Sequence, residues 1–158
     1  MLLYASAGIS ELEIPGKRSL VIYISNCQNS CKNCHTSFLQ KSYGDLLNDS
    51  FSFLFELYYH YFDVVCFMGE GKNTEEEHIE FKKYCDLIHS NHKQVALYSG
   101  RDCTIEEWMN LFDYIKIGSY QQDLGPLTSS KTNQRLYQKV NQKYVNITNC
   151  FWEEDSDD

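Results

Sequence analysis

Residues 19–25 read SLVIYIS, an unbroken apolar run rich in β-branched side chains. A strand with one wet face alternates apolar and polar residues. A run without alternation is a strand buried on both faces, the pattern of a parallel sheet covered by helices. The run leads directly into residues 27–36, CQNSCKNCHT, which hold three of the chain's seven cysteines. Whatever the cysteines do, they do it at the end of a buried strand.

The same pattern recurs along the chain. DVVCFMG (63–69), QVALYSG (94–100) and DYIKIG (113–118) are further apolar runs of strand length, each closing on a glycine. Helical segments separate them. TEEEHIEFKKYCDLIHS (74–90) opens with a capping box, Thr74 and Glu77, and places Phe81, Tyr84, Cys85 and Ile88 on one face. TIEEWMNLF (104–112) opens with a second box, Thr104 and Glu107, and FSFLFELYYHYF (51–62) reads as a buried helix. RLYQKVNQKYVNI (135–147) reads as a hairpin turning at Asn141-Gln142, and LEIPGKRSLVIYI suggests an earlier strand beside the first buried one. Strand–helix alternation predicts an α/β fold with mainly parallel strands and crossover helices. Ligands of such sheets bind beyond the carboxyl ends of the strands. Four segments are therefore expected on one rim: Cys27 to Cys34, Met68-Gly69-Glu70-Gly71, Ser99-Gly100-Arg101 and Gly118-Ser119.

Composition sets the bounds. A chain of 158 residues, 42% hydrophobic, is expected to form one domain over residues 1–150, with an acidic tail over 151–158 that ends in EEDSDD. It is too short for a full eight-stranded α/β barrel, which takes about 250 residues. The net charge of −8 argues against a nucleic-acid binder. No segment reaches the length of a membrane span, and MLLYASAGISELEIPG lacks the basic and apolar regions of a secretory signal. The expected setting is cytoplasmic, where thiols stay reduced and seven cysteines favour metal binding or catalysis over disulfides.

Three chemistries compete for the cysteine stretch. Cys31-Lys-Asn-Cys34-His35 matches the attachment motif of c-type haem, but that leaves Cys27 unused, and haem attachment normally accompanies export. Cys27, Cys31, Cys34 and His35 make a cramped zinc set with no second knuckle elsewhere; Cys66, Cys85, Cys103 and Cys150 are scattered singly. Cys66, inside a strand, and Cys85, on an apolar helix face, read as core residues. A cubane cluster takes four thiolates, so three close cysteines leave one iron open for a substrate or cofactor.

The spacing C-x3-C-x2-C after the first buried strand resembles the radical S-adenosylmethionine (SAM) superfamily. His35 follows the last cysteine as in activases of glycyl-radical enzymes, and Met68-Gly69-Glu70 falls where that family has Gly-Gly-Glu. The stretch DYIKIGSYQQDLGPLTSSKTNQRLY (113–137), with Asn133-Gln134-Arg135, is similar to the later part of anaerobic ribonucleoside-triphosphate reductase activating proteins. The resemblance covers about residues 13 to 140. It implies a small partial (β/α) barrel of the radical SAM type. Cys27, Cys31 and Cys34 would hold a 4Fe-4S cluster, at which S-adenosyl-L-methionine is reductively cleaved to a 5′-deoxyadenosyl radical. The radical would generate a glycyl radical on the large subunit of an anaerobic ribonucleoside-triphosphate reductase. A low-potential donor of the flavodoxin or ferredoxin type would supply the electron; neither a nucleic acid nor a membrane is an expected partner.

The resemblance also implies roles residue by residue. Met68, Gly69 and Glu70 would present backbone to the SAM amino group, although Met68 replaces the first glycine of the motif. Ser99 and Gly100 resemble a second SAM-contacting turn, and equally an ordinary strand-to-helix turn. Asn33 stands where many members have an aromatic residue against adenine, so adenine contacts there would run through backbone. His35 is placed beside the cofactors rather than on the metal. Arg101 and Lys116 are candidates to meet a carboxylate; Arg135 is as well suited to a partner as to SAM. Two alternatives stand beside this reading: another small radical SAM enzyme with a different partner or a small-molecule substrate, and a non-enzymatic zinc or redox module.

Overall fold

The computed structural model describes residues 1–25 and 44–152, and the cysteine stretch lies outside them. Among the described residues the chain is α/β, with one mixed sheet of eight strands and two α-helices. In chain order these are β1 (Leu3–Ser10), β2 (Ser19–Ile24), β3 (Asp45–Leu46), α1 (Leu47–Tyr58), β4 (Val64–Met68), α2 (Glu75–Ser90), β5 (Gln94–Tyr98), β6 (Tyr114–Ile117), β7 (Arg135–Val140) and β8 (Lys143–Asn146). The sheet runs β3-β1-β2-β4-β5-β6-β7-β8.

The centre, β2-β4-β5-β6, is parallel throughout. Its four strands are the four apolar runs of the sequence, and all of their residues but Tyr23, Met68 and Gln94 are buried. The expectation of mainly parallel strands holds for this centre alone, because both flanks are antiparallel. The connections explain the difference. A parallel neighbour needs a long crossover, whereas β1 joins β2 through a short turn and no α-helix lies between β6 and β7. The β7–β8 hairpin turns at Asn141 and Gln142, both left-handed (φ 52° and 68°), the geometry that matches strand twist.

Helix α2 starts from Thr74 as the capping box implies, yet Thr74 makes no side-chain cap bond, and Glu77 is buried instead. The helix expected over 104–112 is corrected to a 3₁₀ turn, Glu107–Leu111, preceded by extended backbone at Glu106. Helix α1 begins four residues before the expected 51 and ends in a 3₁₀ turn, Tyr59–Tyr61.

Both helices cover one face of the sheet. Phe51 of α1 stacks on Tyr84 of α2 with centroids 4.3 Å apart, and Phe67 of β4 meets Phe81 edge-on at 5.2 Å. Each such ring contributes about 2–3 kcal/mol by leaving water. The other face carries no α-helix among the described residues. Ile14, Leu127, Ile147 and Phe151, from turns and the C-terminal segment, pack against this face, in a cluster that also holds Tyr23, Met68 and Tyr98. No helix among the described residues is long and apolar enough to cross a membrane.

Candidate functional site

The parallel order brings three of the expected rim segments together at the carboxyl ends of β4, β5 and β6. Gly69 N donates to Tyr98 O (3.0 Å), Ser99 N to Lys116 O (2.8 Å) and Gly118 N to Arg101 O (3.0 Å). The first of these turns needs its glycine. Gly69 has φ 113°, and an added Cβ would stand 3.3 Å from Ile24 O, the last residue of β2. The backbone of the turn thus lies against the end of the strand that leads into the cysteines.

Glu70 does not face a ligand with its side chain. It is 5% exposed. Its Oε1 accepts from Ser99 Oγ (2.7 Å) and Arg101 Nε (2.9 Å), and its Oε2 from Arg101 Nη2 (2.8 Å). The far edge of Arg101 pairs with Glu106, Nη1 to Oε2 at 3.1 Å and Nη2 to Oε1 at 2.6 Å. Trp108 Nε1 donates to the same carboxylate (2.9 Å). Arg101 holds the Glu106 carboxyl far down, at about 2, against the opposing push of burial. The two carboxylates in turn raise Arg101 well above the ordinary guanidinium range. His78 stacks on Trp108 at 3.9 Å, and burial lowers its pKa, favouring the neutral ring.

The strand register adds a row on the helix-free face. Tyr23, Met68, Tyr98 and Lys116 are successive partners across β2, β4, β5 and β6. Lys116 is 8% exposed, so it does not face solvent. Its Nζ lies 5.4 Å from the Tyr98 ring centroid and donates to Gly118 O (3.2 Å). A buried cation beside a phenol ring at strand ends can hold an anionic group.

Asn133 and Gln134 support this rim from below. Asn133 Nδ2 donates to Ser119 O (3.0 Å) and Gln134 Nε2 to Gly118 O (3.3 Å), while Asp102 accepts from both Ser119 N and Ser119 Oγ. Arg135 Nη1 donates to Thr132 O and Gln134 O. Its guanidinium is engaged by its own chain.

Of the expected site residues, Met68, Gly69, Glu70, Ser99 and Gly100 lie on this rim. Cys27, Cys31, Cys34, Asn33 and His35 lie outside the described residues. Cys66 and Cys85 are fully buried, and burial pushes both thiols up, so neither offers a thiolate. Cys103 reaches the rim, but burial raises it too. Among the described residues no three His, Cys, Asp or Glu side chains converge on a metal-sized site. The reading of the sequence missed Glu106, Trp108 and His78. The available signal was an unpaired Arg101 between acidic stretches, which no local spacing assigns to a partner. No family model, curated protein or solved structure matches the chain.

Proposed function

We propose that the chain is a radical SAM enzyme of the glycyl-radical activase type. It would cleave S-adenosyl-L-methionine reductively, and the resulting 5′-deoxyadenosyl radical would generate the glycyl radical of an anaerobic ribonucleoside-triphosphate reductase. The single observation that supports it most is placement. A C-x3-C-x2-C stretch follows the buried parallel strand β2, and the neighbouring strands end in the turns at 68–70 and 99–100.

In this reading Cys27, Cys31 and Cys34 hold a 4Fe-4S cluster, which when bound supplies the electron for cleavage of the S–C5′ bond. The described residues fit such a ligand at one testable point. Gly69 lets its turn pack directly against the end of β2, which brings the backbone of 68–70 next to the strand that leads into the cysteines. Glu70 contributes through its backbone, since its carboxylate is held by Arg101 and Ser99. Lys116 and Tyr98 line the helix-free face beside it. In this reading the parallel centre of the mixed sheet would serve as the core of a partial (β/α) barrel, and a cytoplasmic, reducing setting would suit the thiols.

The test is anaerobic reconstitution with iron and sulfide, then reductive incubation with SAM. Wild type is expected to release 5′-deoxyadenosine and Cys31→Ala none. A fully reconstituted wild type that releases none would sink the proposal. A glycyl-radical signal on the reductase large subunit then separates the activase from another radical SAM enzyme.

A further inference from the structure

One residue touches all three described strand-end turns. Arg101 grips the turn after β4 through its side chain, with Nε and Nη2 on the two oxygens of Glu70. Its backbone N donates to Ser99 Oγ (3.2 Å) after β5. Its carbonyl accepts from Gly118 N (3.0 Å) after β6. The outer edge of the guanidinium is closed by Glu106, so it is occupied by protein carboxylates on both sides. We infer that Arg101 is a positioning residue: it fixes the Met68–Gly71 turn relative to the Ser99–Gly100 turn before any ligand arrives.

The physical argument is preorganisation. A ligand read by backbone atoms on two separate turns binds well only if the turns hold their spacing in its absence; otherwise ordering them subtracts from affinity. Gly69 at φ 113° has the wide freedom of glycine, and its neighbour Glu70 is the handle by which the turn is held. A planar guanidinium suits the task, because it forks onto Glu70 with one edge and onto Glu106 with the other. A lysine ammonium is a point charge that cannot span both carboxylates with paired bonds. Arg101 therefore acts on a ligand only through Glu70 and the two turns. The identity of that ligand, SAM, rests on the function proposed above; the linkage of the turns does not.

The test uses the full chain with Arg101→Gln and Arg101→Lys, in two measurements. Hydrogen exchange on unreconstituted protein is expected to quicken about tenfold at amides 69–71 and 99–101 in Arg101→Gln, with β4 and β5 unchanged. Equilibrium binding of SAM to iron-reconstituted protein is expected to weaken about tenfold at equal iron content, with Arg101→Lys between the two. Exchange and affinity in Arg101→Gln equal to wild type overturn the inference, as does unchanged affinity where wild type binds SAM. A wild type that takes up iron but binds no SAM removes the ligand reading and leaves the exchange rates to decide the linkage. If Arg101→Gln fails to fold, Arg101→Lys, which keeps the positive charge, carries the same comparison.

Discussion

Glu106 and Arg101 form the most strongly perturbed ionic contact at the rim, and its pH dependence has a definite sign. Arg101 draws the Glu106 carboxyl down to about 2, below the roughly 4.3 of an unfolded glutamate. The folded state therefore binds fewer protons than the unfolded state across that interval. The stabilisation is complete above about pH 4 and is lost as pH falls through about 2. The carboxylate is 37% exposed, so solvent screens the pair and the effect is modest. The expected result is a shallower fall of melting temperature between about pH 4 and 2 in Glu106→Gln than in wild type. Parallel curves would show that the pair adds nothing to stability. None of this was legible from the sequence. Glu70, Arg101 and Glu106 are brought together by β4 and β5 being neighbours, and side-chain pairing at such separations leaves no periodic trace. Cys66 and Cys85 were legible as core residues, because their positions in a buried run and on an apolar helix face sufficed.

Helix α2 shows where local sequence rules stop. Thr74 and Glu77 have the spacing of a capping box, and the helix does begin there. The reciprocal bonds do not form. Glu77 is 2% exposed and sits against Gly71, where an added Cβ would lie 3.2 Å from its carboxylate oxygens. Tertiary burial has taken the residue that the box needs. Thr74→Ala should then lower stability by less than about 0.5 kcal/mol, against the roughly 1 kcal/mol of a working N-cap. Urea unfolding distinguishes the two, and a loss near the larger figure would show that the hydroxyl caps the helix in solution. The same competition explains Thr104 and Glu107. A helix over 104–112 would wind Glu106 into its first turn, but Glu106 stays extended with its carboxylate on Arg101 and Trp108. What remains is a five-residue 3₁₀ turn, too short to stand as an isolated helix. The earlier strand expected within LEIPGKRSLVIYI is displaced: residues 12–14 lie in the turn and β1 is LYASAGIS, whose Ala, Ser and Gly carry little strand propensity and which forms because β2 offers an edge.

The molecule as a whole is asymmetric about its sheet. One face is closed by two helices and stacked aromatic rings, and this half was legible because helix periodicity and apolar strands both mark it. The other face is covered by turns, a long connection and a short 3₁₀ segment, which have no periodicity to read. Residues 119–134 cross from β6 to β7 and bury Leu127 against Tyr98, Tyr114 and Leu136. Trp152 holds this crossing in place, its indole Nε1 donating to Leu127 O (2.9 Å) from the C-terminal end of the described chain. The bond spans two segments that share no strand pairing with each other, so its loss should be felt locally. Trp152→Phe keeps an aromatic ring and removes the donor, which at about 1 kcal/mol corresponds to roughly fivefold more frequent opening. Hydrogen exchange is the fitting measurement, because it reports opening segment by segment. Amides of residues 121–132 should exchange about fivefold faster in the variant, while those of β4 and β5 keep their wild-type rates. Faster exchange throughout the sheet would instead make Trp152 a global determinant of stability. Unchanged rates at 121–132 would show that burial of Leu127 alone secures the cover of the helix-free face.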